Sequence, residues 1–190
     1  ALASLQLNTF SPAVLEDMQK ENELTSEYTK LMSAAKIEFE GEERTLSQLQ
    51  PFMTDKDRSI RKRATETYFG YLSDNHNQLD RIFDDLVKVR AKMATKLGYK
   101  NYVELAYARL SRTEYNAAMV KGYRELILKN VVPLVSRLRK RQKERLGIDK
   151  MRIYDEGFKF NTGNAKPKGN PDWIIEHGVS MYSELSADTK

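Results

Sequence analysis

Apolar residues recur along most of the chain at three- and four-residue steps, the spacing of one face of an α-helix. Ser11-Pro12 opens the first such run. The Ser hydroxyl can accept an orphan backbone N–H, and proline is tolerated at the first helical position. Leu15, Met18, Leu24, Tyr28, Leu31 and Ala35 then form one stripe. Glu16, Asp17, Lys20, Glu21, Glu23 and Glu27 fall on the opposite, exposed face, so the pattern predicts a helix over 12–35. Alternation appears only at Ile37-Glu38-Phe39-Glu40, where Gly41 supplies a turn and Glu42 to Leu46 leads away. That predicts a short hairpin near 37–46, stable only if it packs on something. Thr45 or Ser47 then caps a short helix ending near Pro51.

Thr54-Asp55-Lys56-Asp57 sets an acceptor three residues before a carboxylate, a capping-box-like helix start. Ile60, Ala64, Thr67, Tyr68, Tyr71 and Leu72 share its stripe, and the polar run Ser73 to Asn77 breaks or turns it. A second helix carries Leu79, Ile82, Phe83, Leu86, Val89, Met93 and Leu97, with Gly98 where a left-handed C-cap belongs. Asn101 with Glu104 opens a helix to about Leu110. The longest element starts near Thr113 or Asn116 and shows Met119, Tyr123, Leu126, Leu134 and Leu138 on one face. It runs to Leu146 with Gly147 as terminator, and Pro133 inside it is expected to kink it.

Beyond Ile148 the texture changes. Residues 149–172 mix Gly157, Gly163, Gly169, Pro167 and Pro171 with Asn and Lys and read as a loop-rich connector. Asn170-Pro171 opens a last helix with Trp173, Ile174, Ile175, Met181, Tyr182 and Leu185. Ser186 to Lys190 looks like the cap of a further helix. The expected organisation is therefore a helical region over 1–148, the connector over 149–172, and the start of a following helical part over 173–190, apparently cut short. The fold class is all-α, mostly helical with one short β-hairpin.

The 190 residues carry 32 basic and 27 acidic side chains, a formal charge of +5. That bias is too mild for a dedicated nucleic-acid binder. With no cysteine, disulfides, thiolate metal sites and cysteine nucleophiles are excluded. No apolar run approaches the ~20 residues of a membrane span, and Ala1 to Leu5 lacks the basic start of a signal peptide. A soluble, intracellular chain is expected.

Familiar catalytic patterns are missing. The two histidines, His76 and His177, lie far apart, and no His-Glu-x-x-His occurs. His76, Asp80 and Asp84 share a helical face at four-residue spacing and could hold a metal, but a solvated helix start with dipole-complementing acids is the expected reading. Glu176-His177 reads as a surface pair, and Tyr154-Asp155-Glu156 as polar residues of an exposed loop. Arg58, Arg61, Lys62 and Arg63 crowd one helix start. Six positive charges fall within 137–145 (Arg137, Arg139, Lys140, Arg141, Lys143 and Arg145). This run could grip phosphates, yet it wraps around the helix and lacks interleaved aromatics. It is expected to stay solvated.

In order, several stretches resemble the oligoendopeptidase F type of M3 zinc metallopeptidase. They are Glu21 to Leu31, Ile37 to Leu49, Asp57-Arg58 with Arg61 and Ala64, and Leu86 to Arg90. The likeness continues through Leu97-Gly98-Tyr99-Lys100-Asn101-Tyr102, Pro133 to Gly147, Tyr154 to Phe158 and Asn170-Pro171-Asp172-Trp173. The resemblance implies a helical segment of a two-lobed, channel-forming, cytoplasmic enzyme that cuts internal bonds of short peptides. In that family a His-Glu-x-x-His helix and a later Glu hold zinc, and the motif's Glu activates water. The present segment corresponds to the stretch before the motif. No catalytic or metal residue can therefore be assigned here, substrate-binding residues are unknown, and zinc would be held outside the segment. Expected partners are peptides and the remainder of the same polypeptide, with neither a membrane nor nucleic acid among them. The alternative reading is a stand-alone helical interaction module whose basic helix contacts protein or nucleic acid.

Overall fold

Local capping fixes most helix starts. In a computed structural model describing residues 2–186 and 188, Ser11 accepts from the Ala13 N–H and begins a 3-10 turn over Pro12–Val14. Helix α2 (Leu15–Ser33) follows, after an N-terminal helix α1 (Leu2–Asn8) that the pattern did not predict. Ala1, Ala187, Thr189 and Lys190 lie outside the described residues, and with them most of the cap expected at 186–190.

Strands β1 (Ile37–Phe39) and β2 (Glu42–Arg44) pair antiparallel with Ile37 opposite Arg44. Glu40 and Gly41 both take positive φ, 52° and 75°, as a two-residue turn matched to strand twist requires. Thr45, rather than Ser47, caps α3 (Leu46–Leu49) in a reciprocal capping box with Gln48. The expected start at Thr54 is corrected: Thr54 ends a 3-10 turn, and Asp57 caps α4 (Arg58–Asp74) by accepting from the Ser59 N–H. The chain breaks at Asn75 before α5 (His76–Lys96). Gly98, at φ 80°, closes α5 while the Tyr99 N–H reaches the Ala94 carbonyl. Asn101 caps α6 (Tyr102–Arg109), and Asn116 caps α7 (Ala117–Leu126).

Pro133 does not break the long helix. Ile127–Val131 widens into a π turn and α8 (Val132–Leu146) continues to Gly147, which is left-handed. In a regular helix the proline ring would clash with the carbonyl of Lys129, and the wider turn relieves that conflict. From 117 to 146 the element is roughly 45 Å long. The connector is less loose than expected, because it holds α9 (Ile153–Glu156) before α10 (Pro171–Leu185).

The main core forms where α2 lies against α5. Leu24, Ile82 and Val89 are buried there with Leu31 and Leu86 beside them. Val14, Met93, Ala94 and Leu105 form a second cluster that joins α6, and Phe39, Leu49 and Ala64 a third beneath the hairpin. Each fully buried Leu or Ile contributes about 1.5–3 kcal/mol. Leu15 and Tyr28, expected on the buried stripe, are instead about half exposed. Two expected surface acids, Asp17 and Glu21, are buried at 4% and 6% exposure. They sit one turn apart between Val14 and Leu24, so the packed face of α2 includes them.

Candidate functional site

The residues that suggested chemistry do not converge. His76 is exposed, with its Nδ1 against the Ser73 carbonyl, and His177 stacks on Trp173 with its Nδ1 against the Trp173 carbonyl. Asp80 and Asp84 are exposed, and Asp84 pairs with Lys88. Among the described residues, no group of three or more His, Cys, Asp or Glu could hold a metal ion. The described side chains thus assemble no set of zinc ligands.

A polar node that the sequence did not announce lies between α4 and α9. Tyr154-Asp155-Glu156 is no exposed loop: Asp155 is fully buried and Tyr154 and Glu156 are half-buried. Arg58 donates to both Asp155 oxygens at 3.0 and 2.8 Å. Arg61 donates to Oδ1 at 3.1 Å, and the Arg152 backbone N–H to Oδ2 at 3.0 Å. Burial pushes the Asp155 carboxyl up, but the bonds from Arg58, Arg152 and Arg61 outweigh it and hold the group below the usual carboxylate range. The basic cluster at the start of α4 is thereby largely engaged within the chain. Arg61 is 2% exposed, gives its other N–H groups to the carbonyls of Tyr154, Asp55 and Lys56, and lies over the Phe158 ring. Arg63 pairs with Glu40 and Lys62 with Glu66. Gln142 of α8, also buried, donates to the carbonyls of Asp155, Glu156 and Phe158. One acid thus ties α4, α8 and the connector together.

Two further acids tie α2 to its neighbours. Glu21 accepts from Arg90 of α5 at 2.7 Å and from Arg109 of α6 at 2.7 and 3.2 Å. Burial raises its pKa, and hydrogen bonds from Arg109 and Arg90 lower it further than burial raises it. Asp17 pairs with Lys92 at 2.8 Å and Lys96 at 2.6 Å, and these two cations depress its pKa. In all three nodes the carboxylate is engaged by cations, which fastens together the elements that carry them.

The surface around this frame is heavily apolar. Helices α7 and α10 bury no residue. Met119, Tyr123, Leu126, Leu134 and Leu138 are 45–64% exposed, and Trp173, Ile174, Met181 and Leu185 are 40–66% exposed. The chain's accessible surface is 14091 Å². A compact monomer of its 22.0 kDa mass would show roughly 9,300 Å². The excess is half as much again, and the uncovered apolar faces of α7, α8 and α10 contribute to it. Most of the basic run at 137–145 stays solvent-facing as expected, with Arg139 paired bidentately to Glu156 at 2.6 and 2.8 Å. Among the described residues no helix is long and apolar enough to cross a membrane.

The sequence model of peptidase family M3 matches residues 51–168. No curated protein matches the chain. Among solved structures, a candidate oligoendopeptidase F from Bacillus anthracis str. Ames is 57% identical with a TM-score of 0.92, covering 99% of this chain and 35% of that one. PZ peptidase A, determined with an inhibitor, is 56% identical with a TM-score of 0.94, covering 99% and 34%. A further candidate oligoendopeptidase F is 54% identical with a TM-score of 0.94, covering 99% and 33%. The chain spans about a third of the length of these structures.

Proposed function

Since the chain belongs to peptidase family M3, we propose that it is the scaffold and channel-wall segment of a cytoplasmic, zinc-dependent oligoendopeptidase. The intact protein hydrolyses internal bonds of short peptides, and its zinc ligands lie outside these residues. The excess apolar surface carries this reading. Faces such as Leu126 to Leu138 on α7 and α8, and Trp173 to Leu185 on α10, gain by burial against further polypeptide of the same protein, at ~25 cal/mol per Å² covered. The Asp155 node supports the same role, because it fixes the connector and α8 on α4 and so sets where those faces point. A stand-alone basic interaction module gains no support from a run in which Arg139 and Gln142 are engaged within the chain.

The test is hydrolysis of a fluorogenic peptide by the full-length product. Activity should be abolished by a zinc chelator, restored by added zinc, and missing from the 190-residue chain alone. Hydrolysis by the 190-residue chain itself, or a full-length product indifferent to chelation, would overturn the proposal.

A further inference from the structure

The turn between α6 and α7 presents a cation, Arg112, seated against two tyrosine rings. Helix α6 ends in a Schellman-type closure: the Ser111 N–H bonds the Ala108 carbonyl and the Arg112 N–H the Tyr107 carbonyl, at 2.9 and 3.0 Å. Ser111 takes the left-handed φ of 55°, which turns the chain sharply and fixes where Arg112 leaves it. The Arg112 guanidinium then lies 4.5 Å from the centre of the Tyr107 ring and 5.7 Å from that of Tyr115. Those rings meet edge to face at 6.2 Å. Arg112 makes no ion pair among the described residues, whereas Arg58, Arg61, Arg90 and Arg109 each hold a buried or nearly buried carboxylate.

Beside it opens a cleft of about 480 Å³ lined by Arg112, Tyr115, Met119, Val120 and Tyr123. Arg112 is the single charged residue in that lining. Arg112 also borders the adjoining cleft, which Glu104 and Glu114 line without pairing with it among the described residues, and Glu104 accepts from the Lys100 N–H. An apolar slot with one oriented polar group is the ordinary form of a small-ligand site. A guanidinium set over aromatic rings, with no ion pair among the described residues, can offer its N–H groups to a planar, bidentate acceptor.

We propose that this cleft binds a carboxylate of a peptide, with Arg112 recognising the carboxylate and Met119, Val120 and the two tyrosine rings holding the neighbouring apolar side chain. The proposal deepens the peptidase reading and rests on it for the identity of the ligand as a peptide. The carboxylate can be the peptide's C-terminus or an acidic side chain.

Calorimetry on the full-length protein decides between these, with Ac-Gly-Gly-Glu-Gly-Leu as probe, its C-terminal carboxamide, and its Gln analogue. On the unaltered protein one neutral analogue should bind about tenfold more weakly, as loss of a charge-assisted bond implies. Loss with the carboxamide assigns the C-terminus; loss with the Gln analogue assigns the side chain. Arg112→Met should erase the difference and Arg112→Lys should keep part of it. Equal binding of all three peptides by the unaltered protein, or a preference that survives Arg112→Met, overturns the proposal. The first of these comparisons needs no variant, so a folding defect cannot obscure it. Mass spectrometry of the same samples reads hydrolysis separately: a carboxylate preference without cleavage would sink the peptidase reading and leave the subsite standing.

Discussion

Asp155→Ala should be among the most damaging single changes to this chain. The side chain is fully buried and Arg61, at 2% exposure, is buried with it. Removing the acid leaves the Arg61 guanidinium among carbonyl acceptors from Tyr154, Asp55 and Lys56 but without a countercharge. An uncompensated buried charge costs about 3–5 kcal/mol. Arg58 contributes far less, because its side chain is 47% exposed and water takes over its solvation. Arg58→Ala should cost about 1 kcal/mol or less. With a urea slope of roughly 2 kcal/mol per molar for a chain this size, Asp155→Ala should lower the unfolding midpoint by about 2 M. Urea titration followed by helical circular dichroism measures both variants. The pH dependence has a fixed sign: the folded Asp155 pKa lies below its unfolded value of about 3.9, so the stabilisation is complete above that value and is lost as pH falls through the folded pKa. A midpoint shift for Asp155→Ala under about 0.5 M, or one matched by Arg58→Ala, would refute the reasoning.

Glu21→Gln should cost about 1–2 kcal/mol in the same titration, since Arg90 and Arg109 are partly solvated and recover some hydration. A cost near zero would mean the Glu21 node is ornamental. Gly98→Ala should destabilise by about 1–2 kcal/mol because φ is 80° there, whereas Gly70→Ala, inside α4 with open space around its Cβ position, should stabilise by about 0.5–1 kcal/mol. Thermal unfolding of the two variants should move in opposite directions. Leu128→Lys, at a 66% exposed site, should leave the isolated chain's stability within about 0.5 kcal/mol while lowering the yield of folded full-length product. Equal yields would argue that nothing covers that face.

What the sequence disclosed was local. Asn101 with Glu104, and the glycine terminators Gly98 and Gly147, are each decided within a few residues, so spacing alone exposes them, whereas the choice of Thr45 over Ser47 came from the structure. The buried ions were hidden because their partners are remote: Asp155 lies 97 and 94 positions from Arg58 and Arg61. A weak signal was present. Arg61 shares a helical stripe with Ala64, Thr65 and Tyr68, and Asp17 and Glu21 share one with Val14 and Leu24. A charge on an apolar stripe implies a buried partner, although which partner is a tertiary fact. The π turn at 127–131 was half legible, since Pro133 announced a disturbance, expected as a kink, without showing that the helix would accommodate the ring by widening one turn. Arg112 and its cleft were not singled out, because a cation flanked by Tyr107 and Tyr115 has no distinctive spacing.

Hydrogen exchange of the backbone amides in α7, α8 and α10, compared between the 190-residue chain and the full-length product, tests the scaffold-and-wall assignment most directly. Protection in these helices should rise strongly in the full-length product, while the amides of α2 and α5, already packed on each other, should change little. Equal protection of α7, α8 and α10 in both forms, with the short chain monomeric, would contradict it.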